Sequence, residues 1–249
     1  MKNLDKNNVL LNGAGQKLYT QAKKMIPGGT QLLSKRPEMF APNLYPAYYS
    51  KAKGSKVWDL DGREYIDMSI MGIGANILGY ADDDVDNAVI NSIKKGSSSS
   101  LNCPEEVELA RLLTNIHPWA DMVRYARSGG EAMSIAVRIA RTRTKKDIVL
   151  FSGYHGWEDW YISSNIGDSN ALDGQLMSGL SPAGVPRAMK GTSLPFFLDD
   201  IDAFYEKFKD VLGNISAIVI EPARGNDLPK ETLLKLKKIS KDIGSILIF

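Results

Sequence analysis

The sequence predicts an α/β fold, a mostly parallel sheet with helices on both faces. Three observations carry this. The runs Ile148-Val149-Leu150, Ala217-Ile218-Val219-Ile220 and Ile246-Leu247-Ile248 are apolar without alternation, as expected of strands buried on both faces. From about residue 120, strand-like runs alternate with helical patterns, the order that builds a parallel sheet. The helical stretches carry apolar residues at spacings of three and four, which gives each one face to bury. Connections between such strands are expected to be right-handed crossovers.

The composition fits a folded chain. Its 249 residues are 43% hydrophobic and 24% charged, with 22 Gly and 11 Pro, which excludes collagen-like, disordered and coiled-coil classes. At about 150 residues per domain, this length suggests one large domain or two small ones. It can bury a core without a disulfide or a metal. Lys+Arg 31 against Asp+Glu 29 gives +2, with no long basic run, so no nucleic-acid partner is expected. Cys103 is the only cysteine, which excludes an intrachain disulfide framework and a Cys-based zinc site. With only His117 and His155, no metal site is expected. No apolar run approaches the ~18 residues of a membrane span. The start, MKNLDKNNVLLNG, lacks a signal-peptide core. The expected location is cytoplasmic, with no membrane partner.

Residues 1–50 read as an N-terminal arm. Gln16 to Ile26 suits a short helix, stopped by Pro27-Gly28-Gly29, and Pro37, Pro42 and Pro46 then predict extended or looped chain. Lys56 to Leu60 and Arg63 to Met68 flank Asp61-Gly62, a hairpin signal with positive φ angles at the turn. Asp82 to Lys95 reads as a helix, with acidic residues at its start and Val85, Val89 and Ile93 on one face. A second helix starts near Pro104, with Leu109, Leu112, Leu113 and Ile116 on one stripe. Met122 to Tyr125 then predicts a short strand, Glu131 to Arg143 a helix, and Asp147 to Phe151 a strand. Residues 163–193 read as loop. Asp199 to Leu212 predicts a helix with Ile201, Phe204, Tyr205, Phe208 and Leu212 inward. Ser216 to Ile220, Pro229 to Ile243 and Ser245 to Phe249 predict strand, helix and strand.

Open α/β sheets bind ligands beyond the carboxyl ends of their strands. Three segments lie there. Ser128-Gly129-Gly130 precedes a helix, and its backbone N–H groups suit an anion such as phosphate. Tyr154-His155, between Gly153 and Gly156, offers an aromatic face and an imidazole. Glu221 follows four apolar residues directly, where a carboxylate needs a partner. Each alone has a plainer reading: a tight turn, an aromatic loop with a satisfied histidine, a capping or ion-paired glutamate. Together they describe a pocket for a planar phosphorylated cofactor.

The chain resembles the class III, fold-type I enzymes that use pyridoxal 5′-phosphate, and within them glutamate-1-semialdehyde 2,1-aminomutase and its aminotransferase relatives. The resemblance rests on motifs in one order along nearly the whole chain. They are Ile26-Pro27-Gly28-Gly29, the stretch from Val57 to Asp67, Leu78-Gly79, Asp121 to Arg124, Ser128 to Ala132, Arg138 to Arg141, Tyr154-His155-Gly156, Gly184-Val185-Pro186 and Glu221-Pro222. It implies that Ser128, Gly129 and Gly130 bind the cofactor phosphate. The family usually has Thr at the position of Gly130, so one hydroxyl contact is missing here. It also implies that Tyr154 stacks on the pyridine ring with His155 beside it, and that Glu221 lies near the cofactor. In the arm after Gly29, Ser34 and Arg36 are the implied substrate contacts.

The family's Asp-Glu-Val follows a strand like Ser245 to Phe249, and its Schiff-base lysine comes later still. No lysine of this chain stands in that motif. The expectation is therefore a chain cut short of its catalytic lysine, with no catalytic residue before Phe249 and inactive alone. It would hold the arm (1–50) and part of the cofactor-binding large domain (51–249), without the small C-terminal domain. The implied full-length function is amino-group transfer from a small-molecule donor to a carbonyl acceptor, an amino sugar or other small carbonyl, in a homodimer. The loop Ser69 to Gly74 lacks the Trp-Gly pair of the aminomutases. Tyr154 to Tyr161 is similar to relatives in amino-sugar pathways. A general aminotransferase comes first and the aminomutase second. A noncatalytic binding or assembly protein on the same fold is the third reading.

Overall fold

The computed structural model describes residues 12–69, 71–175, 179–224 and 226–249. Residues 1–11 of the expected arm, Ile70 of the Ser69–Gly74 loop and residues 176–178 of the expected 163–193 loop lie outside them. Two units, 1–107 and 108–249, each hold together by their own contacts.

The first unit begins with helix α1 (Ala14–Ala22), shorter than the predicted 16–26, followed by a single turn at Pro27–Gly29. Two more single turns, Leu33–Lys35 and Pro37–Met39, fill the proline-rich stretch. Strands β1 (Tyr49–Lys53), β2 (Lys56–Asp59) and β3 (Glu64–Ile66) form an antiparallel sheet in that order. The predicted hairpin is β2–β3, with Val57 opposite Tyr65. Its loop differs in one respect. Only Gly62 has a positive φ, 80°, because the loop has three residues, a turn closed by Gly62 N–H to Asp59 O and a glycine bulge. Strand β1 has no sequence signal, since its side chains, YSKAK, are nearly all exposed and polar.

Helix α2 (Asp83–Lys94) is capped by Asp82, whose carboxylate accepts from the N–H groups of Asp84 and Val85. Helix α3 (Pro104–Ile116) runs across the boundary between the units. Neither helix has a buried residue. Val85, Val89 and Ile93, and Leu109, Leu112 and Ile116, are exposed apolar side chains.

The second unit is built on the apolar runs. Helix α4 (Gly129–Thr144) leads to β4 (Ile148–Ser152), short helix α5 (Asp159–Ile162) and β5 (Ser193–Pro195). Then come α6 (Phe204–Lys207), β6 (Ile215–Ile220), the small antiparallel pair β7 (Ala223–Arg224) and β8 (Asn226–Asp227), α7 (Lys230–Ile243) and β9 (Ile246–Ile248). The sheet order is β5-β4-β6-β9, and every pairing is parallel.

Alternate residues of the central strands enter two separate cores. Ile148, Leu150, Ile218 and Ile220 pack with Phe196, Phe204, Leu236 and Ile239. Val149, Phe151, Ala217 and Val219 pack with Val137, Ala140, Trp160 and Tyr161. The first group draws on α7 and the second on α4, so helices cover both faces. Each such side chain contributes about 1.5–3 kcal/mol on full burial.

Two expectations are corrected. Met122 to Tyr125 is not a strand, and Met122 is exposed. A strand exists by its ladder, and residues 122–125 join none of the described sheets. The predicted 199–212 helix is broken into a 3₁₀ stretch (Leu198–Ala203), α6, and a final turn at Leu212–Asn214. The 3₁₀ spacing sends Ile201 and Phe204 into one core, three residues apart, while Tyr205 stays largely exposed and bonds Asp242 through its hydroxyl. The sequence reading also missed β5, which is too short and too close to Pro195 to carry a pattern. No described helix is long and apolar enough to cross a membrane.

Candidate cofactor site at the strand ends

At the start of α4, Ser128 is the N-cap, with an extended backbone, and its hydroxyl accepts from the Glu131 N–H at 3.3 Å. Glu131 in turn accepts from the Arg127 N–H at 2.7 Å. This is close to a capping box, shifted by one residue. The helical ladder begins with Ala132 N–H to Ser128 O. The N–H groups of Gly129 and Gly130 therefore remain for a ligand, at the positive end of the helix dipole. A Cβ at Gly129 would meet nothing within 4 Å, and Gly129 has no positive φ. Its contribution is open space over the turn.

The aromatic segment follows β4. Gly153 has φ 101°, and a Cβ there would lie 2.8 Å from the Glu221 Cβ. Only glycine fits this conformation and this approach. Two side chains hold its peptide groups. Gln175 Oε1 accepts from the Gly153 N–H at 2.5 Å, and the Tyr161 hydroxyl donates to Gly153 O at 3.1 Å. The next residue, Tyr154, is half-buried, with its ring perpendicular to that of Tyr161 at 6.0 Å. Burial pushes its hydroxyl pKa up.

His155 is buried among Phe151, Trp160 and Tyr161. Its Nε2 lies 2.9 Å from Ser152 O, and since a carbonyl only accepts, Nε2 carries the proton. Nδ1 is then the ring nitrogen left for another partner. Burial lowers the His155 pKa, against the opposing pull of the Ser152 carbonyl and the Glu221 charge. The imidazole is thus held neutral. Ser152 O also accepts the Glu221 N–H at 3.2 Å, which ties the ends of β4 and β6 together. Glu221 Oε2 is buried and has no hydrogen-bond partner.

The three segments are contiguous. Gly153 abuts Glu221, and a Cβ on Gly156, which has φ 105°, would come 3.1 Å from the Gly130 Cα. Helix start, aromatic turn and carboxylate therefore form one patch at the carboxyl ends of β4 and β6. Ser128, Gly129, Gly130, Tyr154, His155 and Glu221 are brought together as the sequence predicts. Ser34, in an exposed single turn, and Arg36, just after it, belong to the first unit. The sequence reading missed Gln175, Tyr161 and Glu158. Gln175 is 22 residues from Gly153 in a loop without periodicity, so nothing in the sequence signals their bond. Tyr161 follows the motif closely but reads as one more core aromatic.

The patch fits a planar phosphorylated group on three counts. Two N–H groups at the start of α4 have no acceptor among the described residues, a half-buried tyrosine follows the Gly153 turn, and a buried carboxylate oxygen lacks a donor. A family model described as aminotransferase class-III matches residues 39–249. The chain is similar to a glutamate-1-semialdehyde 2,1-aminomutase of Aquifex aeolicus, 36% identical over 241 residues, covering 94% of this chain and 55% of that protein. It is similar to a 3-aminobutyryl-CoA aminotransferase of Cloacimonas acidaminovorans, 32% identical, covering 93% of this chain and 53% of that protein. Among solved structures, a transaminase with PLP bound superposes with a TM-score of 0.80 at 26% identity, covering 93% of this chain and 53% of that one. The chain spans about half the length of the curated relatives it matches.

Proposed function

The chain belongs to the class-III aminotransferase family, and on that premise we propose that residues 128–221 supply the phosphate seat and ring cover of a pyridoxal 5′-phosphate site in an enzyme of amino-group transfer. The observation that carries this is the contiguity of Gly130 with Gly156 and of Gly153 with Glu221. This contiguity supports a reading in which an anion seat, an aromatic side chain and an unpartnered carboxylate serve one ligand. When bound, this cofactor supplies an electron sink that makes a proton on an attached amine's carbon removable. The chain's own residues bind and orient. The Gly129 and Gly130 N–H groups hold the phosphate. Tyr154, fixed through Gly153 by Gln175 and Tyr161, would cover one face of the bound ring and keep water from it. Neutral His155 would offer Nδ1 as a hydrogen-bond acceptor to it. Glu221 offers Oε2 as an acceptor for a proton on the cofactor or substrate.

In this reading amino-group transfer belongs to the native protein that contains this chain. Ser34 and Arg36 are proposed substrate contacts. The native protein is proposed to be a homodimer, a reading supported by the exposed apolar faces of α2 and α3. Sedimentation should show a dimer at micromolar concentration; a fully active monomer would contradict this.

The reaction class is tested on the native protein that contains this chain. Purified protein should carry a visible absorption band from bound cofactor. An amine donor alone should bleach it, and a 2-oxo acid should restore it. A protein that carries no cofactor and takes none up would refute the proposal. The aminomutase reading is favoured by the name of the 36%-identical relative. Turnover of glutamate-1-semialdehyde without an added acceptor supports it, and turnover that needs a separate donor and acceptor supports the aminotransferase.

A further inference from the structure

Glu158, which caps no amide of α5, stands at the phosphate seat itself. A Cβ on Gly130 would lie 2.7 Å from its Oε1, 3.2 Å from its Cγ and 3.4 Å from its Cδ. The half-buried side chain thus fills the volume that a residue larger than glycine would take at the second position of α4. Among the described residues, its carboxylate accepts no hydrogen bond and pairs with no cation. An unpaired, half-buried carboxylate is costly unless something favours it there. Here the favourable influence is the start of α4, whose dipole attracts negative charge.

The same influence attracts the phosphate. We propose that Glu158 opposes phosphate at this seat: its carboxylate stands beside Gly130 without taking up the Gly129 or Gly130 N–H, and a phosphate group must displace it. The missing side chain at Gly130 makes this possible, since a Thr or Ser there would exclude Glu158 from the helix start. The consequence is a seat that holds its cofactor less tightly than its geometry allows. Residual repulsion between Glu158 and the bound phosphate persists even after the side chain swings aside, because both remain within one Debye length. The inference rests on the cofactor site proposed above and deepens it.

The test is cofactor binding by the native protein after removal of bound cofactor, followed through tryptophan fluorescence. Glu158→Gln keeps the shape and removes the charge. It should bind pyridoxal phosphate roughly three- to tenfold more tightly than wild type, the size expected of one charge pair at a few ångströms in a wet site. Pyridoxal, which has no phosphate, should bind both proteins alike. Glu158→Ala serves as the second variant and should also tighten phosphate-dependent binding. Because the expected change is a gain, partial misfolding cannot imitate it. Equal or weaker binding of pyridoxal phosphate by both variants overturns the role of Glu158 and leaves the cofactor site standing. Tighter binding that extends equally to pyridoxal also overturns it. A wild-type protein that binds no pyridoxal phosphate overturns both.

Discussion

Gly129→Val separates binding from folding at the helix start. The position is the first of α4, its backbone has no positive φ, and a Cβ meets nothing within 4 Å. The valine Cβ therefore meets no clash. Its helix propensity differs from that of glycine by less than about 0.5 kcal/mol, and in valine's favour. Unfolding in urea should shift little. Binding should change far more, because the branched side chain stands in the open space through which a phosphate reaches the Gly129 and Gly130 N–H groups. Loss of one hydrogen bond to a charged group costs about 1.5–3 kcal/mol, roughly ten- to hundredfold in Kd. The assay is titration of cofactor-free native protein with pyridoxal phosphate, beside urea unfolding of the same samples. A Kd within about threefold of wild type would mean that the turn is structural only. A stability loss of several kcal/mol would mean that the open space was misread.

Gly153→Ala should behave in the opposite way, losing about 1–3 kcal/mol of stability by urea unfolding, because its φ of 101° and the 2.8 Å approach to Glu221 both exclude a side chain. Gln175→Leu removes the acceptor of a half-buried N–H and should cost about 1–3 kcal/mol; an unchanged urea midpoint would show that the Gly153 N–H finds another partner. The folded-state pKa of His155 is depressed, so the folded protein binds fewer protons than the unfolded one below about pH 6.5. The stability this residue contributes is full above that value and declines as pH falls toward the lower folded value. His155→Gln should flatten the pH dependence of unfolding between about pH 7.5 and pH 5, and an unaltered slope would assign that dependence to other groups.

The central sheet was readable because β4, β6 and β9 carry apolar residues at successive positions, and only burial on both faces requires that. Glycines between a strand end and a helix start marked the candidate site for a similar local reason. What escaped was non-local. Met122 to Tyr125 has strand-forming residues, but a strand needs a neighbouring backbone. The 199–212 stretch has a helical pattern, yet Ile201 and Phe204 reach one core by a 3₁₀ turn. Gln175 with Gly153 is a contact between loops, and Glu158 with Gly130 one between a loop and a helix start, and loops carry no period from which a contact can be inferred. The uncovered faces of α2 and α3 read as core-facing, since periodicity shows that a face is apolar and not what covers it.

The structure of the native protein crystallised with pyridoxal phosphate tests the account most directly. The account predicts the phosphate within hydrogen-bond distance of the Gly129 and Gly130 N–H groups, the pyridine ring against Tyr154, and the Glu158 carboxylate moved away from Gly130. A phosphate bound elsewhere, with the start of α4 still open and Tyr154 away from the ring, would contradict it.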